Sequence, residues 1–301
     1  MSETVTGEAL YQWRQWAIQT AQSNHIDLDE VDWFLQGFST LSSLSLRLDA
    51  YRNRSDISLK ASLAVLTGKW RQRINSRVPV QYLTGETPWR NFLLTVGSDV
   101  LIPRPETELM IDIAQQLAEQ SSLAGQIKSG HWADLGTGSG AIALGLADCF
   151  PEATVCATDI SEAALKVAQL NARRSHLNYR ITFYQGSWLS PLLPLKGQLS
   201  GIVSNPPYIP SQLVTTLQPE VAHHEPRVAL DGGSDGLDSI RTLVNDSARY
   251  LHSGGICLME LMAGQALAVV ELFKQHGSYT HIAIHADLAG VQRFVSACKA
   301  L

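Results

Sequence analysis

Apolar positions recur at helical spacing through the first quarter of the chain. Leu10, Trp13, Ala17 and Ala21 form one stripe, and Val31, Phe34, Leu35 and Phe38 form a second behind an Asp27/Glu30 capping box. Leu41, Leu44, Leu48 and Tyr51 make a third, and Leu59, Leu63, Leu66, Trp70 and Ile74 a fourth behind Ser58. These stripes predict a small all-helical domain over residues 1–77. "RVPVQYLTGETPWRNFLLTV" then mixes prolines, Gly85 and β-branched or aromatic residues, which predicts a hairpin-like connector over 78–100. From residue 101 to 301 the period alternates. Strand-like runs at 131–135, 154–159, 180–185, 201–205, 255–261, 281–288 and 293–299 interleave with helical runs near 106–119, 139–149, 161–174, 236–251 and 264–276. That alternation predicts an α/β fold: a doubly wound, mostly parallel seven-stranded sheet covered on both faces.

With 301 residues, 45% of them hydrophobic, the chain can build one large core and a smaller one. The polar, acidic start and the lack of any apolar run near the roughly 18 residues of a membrane span predict a cytoplasmic protein with no membrane partner. Cys149, Cys156, Cys257 and Cys298 lie far apart with no C-x-x-C pair, which argues against a disulfide framework and against a structural zinc; no metal is expected. The net charge of −5 comes from the second part, because residues 1–100 hold ten basic and ten acidic side chains. Within that first part, the stretch from Arg47 to Arg77 has eight basic residues against Asp49 and Asp56. It is either a solvated helix face or a surface for an acidic partner or nucleic acid.

The first predicted strand of the sheet runs into "DLGTGSGAIALGLA", placing Gly136, Gly138 and Gly140 on a strand-to-helix turn, with Thr137 and Ser139 between them. Glycines there permit φ > 0 and let a ligand lie against bare backbone. The spacing is shorter than the dinucleotide G-x-G-x-x-G, and Asp134 precedes it, which suits a cationic ligand better than a pyrophosphate. Asp159 ends the next strand, 19 residues beyond Gly140. It can accept both ribose hydroxyls of a nucleoside, or else cap the following helix. "DLGTGSG" followed by Asp159 resembles the cofactor loop of class I S-adenosylmethionine-dependent methyltransferases, which implies a Rossmann-like fold and S-adenosylmethionine as cofactor. Where many such enzymes carry an acid for the adenine amino group, this chain has Ser187 and Trp188; Trp188 can stack on adenine or serve as a core aromatic.

"SNPPYIP" (204–210) follows the fourth strand of the sheet, beside the expected methyl donor. A planar N–H₂ group awaiting methylation needs acceptors on its N–H bonds to aim the nitrogen and favour its growing positive charge. The Asn205 side-chain oxygen and the Pro206 carbonyl can supply them. Pro206 and Pro207 keep the loop rigid with its carbonyls unpaired, and Tyr208 offers a ring to stack on a planar group. No metal or strong base is needed with an activated donor.

"RVPVQYLTG", "LIPRPETE", "DLGTGSGAIAL", "SNPPYIP", "EPRVALDGGSDGL" and "DLAGVQRF", in this order, resemble the bacterial peptide-chain release factor glutamine N5-methyltransferase family over most of residues 77–301. The resemblance implies methylation of the glutamine in the Gly-Gly-Gln motif of class 1 release factors; a glutamine side chain has too few atoms to identify its protein, so the helical N-terminal domain with its basic segment is the expected docking surface. Met262 stands two residues after Glu260, where the family pattern has glycine. Two other readings fit parts of the pattern. An adenine-N6 methyltransferase of DNA or RNA shares the acceptor loop, although the acidic catalytic part makes direct nucleic-acid binding unexpected. A non-catalytic nucleotide-binding scaffold would leave Asn205 without a purpose. In "LIPRPETE", Arg104, Glu106 and Glu108 either close over the cofactor or start the helix after Pro105.

Overall fold

The computed structural model describes residues 2–300. Two compact units divide the chain. One runs to Glu86 and takes back Gln218–His224; the other comprises Thr87–Leu217 and resumes at Glu225.

The first unit is built from the helices Gly7–Ser23, Asp29–Phe38, Ser43–Arg47, Leu63–Ser76, Val80–Thr84 and Pro219–His224, with strands β1 (Glu3–Val5) and β2 (Ile57–Leu59) paired antiparallel. Phe34, fully buried, stacks on Trp13 at 5.8 Å and meets the edge of Trp70 at 5.4 Å. Each indole N–H finds a threonine hydroxyl, Trp13 that of Thr67 and Trp70 that of Thr20, so the rings are buried without a polar penalty.

Several expectations are corrected here. Leu59 lies in β2, and the helix after it begins behind Ser62, whose hydroxyl accepts from Val65 N; Ser58 is not the cap. Leu44 and Leu48 are 62% and 66% exposed while Leu46 is buried, so the third stripe shrinks to a short helix. Asp27 accepts from Asp29 N, but Glu30 turns to Arg73 and closes no capping box. Val80–Thr84, expected in a hairpin-like connector, is a helical turn: Pro79 precedes it, Val80 and Leu83 bury one face, and Gly85 ends it in the left-handed conformation. The basic stretch is also partly neutralised. Arg73 is buried between Glu30 and Glu220, Arg77 pairs with Glu220, and Arg52 with Glu8.

In the second unit, β3 (Glu86–Trp89) pairs with β4 (Phe92–Thr95) ahead of the main sheet. The sheet contains β5 (His131–Leu135), β6 (Thr154–Asp159), β7 (Ile181–Gln185), β8 (Leu199–Ser204), β9 (Leu251–Glu260), β10 (Tyr279–Ala286) and β11 (Gln292–Lys299), in the order β10-β11-β9-β8-β5-β6-β7. Neighbours from β9 to β7 are parallel, and β11 is antiparallel to both β9 and β10. Two apolar layers cover the faces. One holds the stacked Trp132 and Phe150; the other packs Ile240 and Phe273 on the opposite side. This is the expected doubly wound architecture.

The topology fixes where a ligand can enter. From β5 the chain steps outward through β6 and β7, then returns to lay β8 on the other flank of β5. Such a reversal opens a crevice at the carboxyl ends of the two central strands. Those ends are tied together, since Ser204 Oγ donates to the Leu135 carbonyl at 2.7 Å. Among the described residues, no helix is long and apolar enough to cross a membrane.

Candidate active site

A cavity of about 480 Å³ lies at this crevice. Gly136 and Gly138 line it from the turn after β5, Asp159 from the end of β6, Trp188 from beyond β7, and Asn205 and Pro207 from the loop after β8. Elements far apart in sequence thus bring Gly136, Gly138, Asp159, Trp188, Asn205 and Pro207 to one space.

The glycine loop is held from behind. Gly136, Gly138 and Gly140 have φ of 75°, 53° and 85°, a region closed to most side chains. The N–H groups of Gly136 and Thr137 both donate to the Thr158 carbonyl at 2.9 Å. Asp134 is fully buried; its Oδ2 accepts from Thr137 Oγ1 and Ala143 N, and its Oδ1 has no partner among the described residues. Burial pushes the Asp134 carboxyl up to about 7. Ser139 is buried, and its carbonyl accepts from Asn171. Asp134, Thr137, Ser139 and Gly140 therefore shape the loop, while Gly136 and Gly138 present it to the cavity.

Asp159 accepts from Gly138 N through Oδ2 and from Ser161 N through Oδ1, each at 2.9 Å. The cap of the following helix is Ser161, whose hydroxyl accepts from Ala164 N, so the capping alternative for Asp159 falls away. Trp188 adopts φ of 50° and is half-buried; its ring rests on the core below and faces the cavity. A Cβ added at Gly136 would come within 3.2 Å of that ring, so glycine lets the loop lie close against the indole.

At the other end, Asn205 donates through Nδ2 to Thr107 Oγ1 at 3.3 Å. Tyr208 donates its hydroxyl to Glu260 Oε1 at 3.3 Å, and burial pushes its ionisation well above the usual phenol range. Pro206 and Tyr208 do not line the cavity. The segment behind the loop explains "EPRVALDGG": Ile209 N donates to Leu230 O, Gly232 N donates to Ile209 O, and Asp231 accepts from Ser211 Oγ. A Cβ at Gly232 would lie 2.7 Å from the Pro207 carbonyl, too close to tolerate.

The sequence reading missed Ser98, Asp99 and Leu101, which line the cavity, and the backing pair Thr107 and Glu260. Leu101 opens "LIPRPETE" and Ser98 and Asp99 stand just ahead of it, which is the signal that bears on the first group. Within that motif, Arg104 pairs with the buried Glu225, and Glu108 accepts from Arg90 N at the β3–β4 turn. Met262 is not in the left-handed region; that conformation falls at Gly264.

Residues 109–224 match the family described as Methyltransferase small domain. A release factor glutamine methyltransferase from Synechocystis sp. is 50% identical over 293 residues, covering 97% of each chain. One from Thermosynechococcus vestitus is 44% identical over 295 residues, covering 97% of this chain and 99% of its own. Among solved structures, the hMettl16 catalytic domain in complex with MAT2A 3'UTR hairpin 6 aligns with a TM-score of 0.54 at 13% identity, covering 88% of each chain. That likeness concerns the Rossmann-like methyltransferase fold.

Proposed function

The chain belongs to the release factor glutamine methyltransferases, and we propose that it transfers a methyl group from S-adenosylmethionine to the side-chain amide nitrogen of the glutamine in the Gly-Gly-Gln motif of class 1 release factors. The observation that carries this reading is that Asn205 and the glycine loop face one cavity. The residues fit the cofactor: Asp159 offers carboxylate oxygens for ribose hydroxyls, and the Trp188 ring that lines the cavity offers a flat apolar surface for a base. Bound there, S-adenosylmethionine supplies a methyl group already activated by its sulfonium.

The protein's own part is orientation. Asn205 Oδ1 and the Pro206 carbonyl accept from the glutamine N–H₂ group and aim its nitrogen. Among the described residues no backbone donor reaches the Pro206 carbonyl, which leaves it available. As the nitrogen gains a bond to carbon and positive charge, these fixed acceptors stabilise it more than they stabilise the ground state. One N–H proton leaves after transfer. The helical unit is the docking surface in this reading, with exposed Arg47, Arg54, Lys60 and Arg71 as its basic side chains.

The test uses the full chain with labelled S-adenosylmethionine, an intact class 1 release factor and duplex DNA as parallel acceptors. Label on the Gly-Gly-Gln glutamine is expected. Label on adenine with unlabelled protein would reject the reading.

A further inference from the structure

Thr107 and Glu260, 153 positions apart, meet behind the acceptor loop. Thr107 Oγ1 donates to Glu260 Oε2 at 2.7 Å and accepts from Asn205 Nδ2 at 3.3 Å, while Tyr208 donates to the other carboxyl oxygen. Thr107 is 4% exposed and Glu260 2%, so water does not compete for these bonds.

The consequence concerns which way an amide faces. The two ends of an asparagine side chain have nearly equal size and opposite polarity, so shape alone does not decide which end meets the substrate. A threonine hydroxyl has one proton and two lone pairs. Glu260 Oε2 takes the proton, and what Oγ1 presents to Asn205 is a lone pair, which only Nδ2 can fill. Oδ1 is then the end left to face a donor in the cavity that Asn205 lines.

We propose that Thr107 and Glu260 are positioning residues that set the polarity of the Asn205 amide, so that Oδ1 is always the group offered to the target N–H₂. The inference rests on the glutamine-amide reading above. It also gives a task to "LIPRPETE", whose threonine lies on the 3-10 turn Pro105–Glu108 and whose partner acid ends β9. Burial pushes the Glu260 carboxyl up to about 7, with Tyr208, Arg293 and Glu106 the other titratable or charged groups acting on it. With the carboxyl ionised, both oxygens accept, Oε2 from Thr107 and Oε1 from Tyr208.

Methyl transfer by the full chain to an intact release factor is measured for wild type, Thr107→Val and Thr107→Ser, each with Asn205 and with Asn205→Asp. Thr107→Val should lower kcat about ten- to hundredfold, the range for losing a preorganised polar partner. KM for the release factor and cofactor affinity should stay within about twofold, and Thr107→Ser should recover most of the loss. Aspartate has oxygen at both ends and needs no such device, so in the Asn205→Asp background Thr107→Val should cost little, a non-additivity that a simple packing defect does not produce. Where the valine protein does not fold, Thr107→Ala is read in the same way. Undiminished kcat in Thr107→Val, or equal losses in both backgrounds, overturns the relay alone. A wild-type protein that places no label on glutamine overturns the functional reading and the relay with it.

Discussion

At the glycine-loop end of the cavity, Asp159 is fixed by backbone N–H groups of Gly138 and Ser161, 21 and two residues away. At the acceptor end, Asn205 is fixed by Thr107 and Tyr208 by Glu260, side chains 98 and 52 residues away. The first arrangement is a property of one strand-loop-helix segment and its neighbour. The second exists only once β8, β9 and the 3-10 turn have all been brought together. In the proposed function, one end would hold a ligand with a locally rigid backbone, and the other would aim a reacting group with side chains gathered from across the sheet. Damage at the first should appear in affinity, and damage at the second in turnover.

The largest effect is expected at the acceptor end. Asn205→Ala should lower turnover by about a hundredfold or more, as loss of a preorganised acceptor does, with cofactor affinity nearly unchanged. Asn205→Asp should retain more activity. Steady-state rates with labelled cofactor and calorimetric titration together separate the two quantities, and a parallel fall in both would erase the distinction between the ends.

Next in size, Asp159→Ala should weaken cofactor binding by about 1.5–3 kcal/mol, the range for hydrogen bonds to a charged group, while kcat at saturating cofactor changes less. Titration calorimetry reads this directly. Trp188→Ala should cost about 1 kcal/mol of cofactor affinity through lost ring contact, and unchanged affinity would assign the indole to the core alone.

The smallest effect is on stability. Burial holds the Glu260 carboxyl up to about 7, above the roughly 4.3 of an unfolded glutamate. The folded state thus binds the proton more tightly, and the stability linked to it is full below about pH 4 and is lost as pH rises through about 7. Glu260→Gln removes that dependence, so its melting temperature relative to wild type should rise between pH 5 and pH 8. Asp134 contributes with the same sign and is untouched by the variant, so part of the slope should remain.

The contrast between the ends also explains what the sequence disclosed. "DLGTGSG", Asp159 and "SNPPY" were legible because each puts its chemistry into a few adjacent residues whose backbone demands are unusual. The alternation of strands and helices was legible because each sheet face is buried and leaves an apolar signature. Thr107 carried no such mark: a threonine on a surface-like "RPETE" reads as a helix start until β9 delivers Glu260 beside it. The short helix Val80–Thr84 was missed because Val80, Tyr82 and Thr84 favour strands, while the proline before it and the glycine after it were the signal to weigh instead. Leu59 fits a helical stripe and so points to Ser58 rather than Ser62 as the cap; pairing with β1 overrides that pattern.

The chain passes between its two units three times, after Glu86, after Leu217 and after His224. For anyone exchanging parts between relatives, the helical unit is therefore not a cassette with a single seam. A chimera joined at residue 86 would import the relative's residue at position 73 while keeping the old Glu220, and a deletion up to residue 86 would leave Glu220 without the guanidinium that lies 2.8 Å away. Recombination that respects the fold must move two pieces of sequence together, the N-terminal segment and the stretch Gln218–His224.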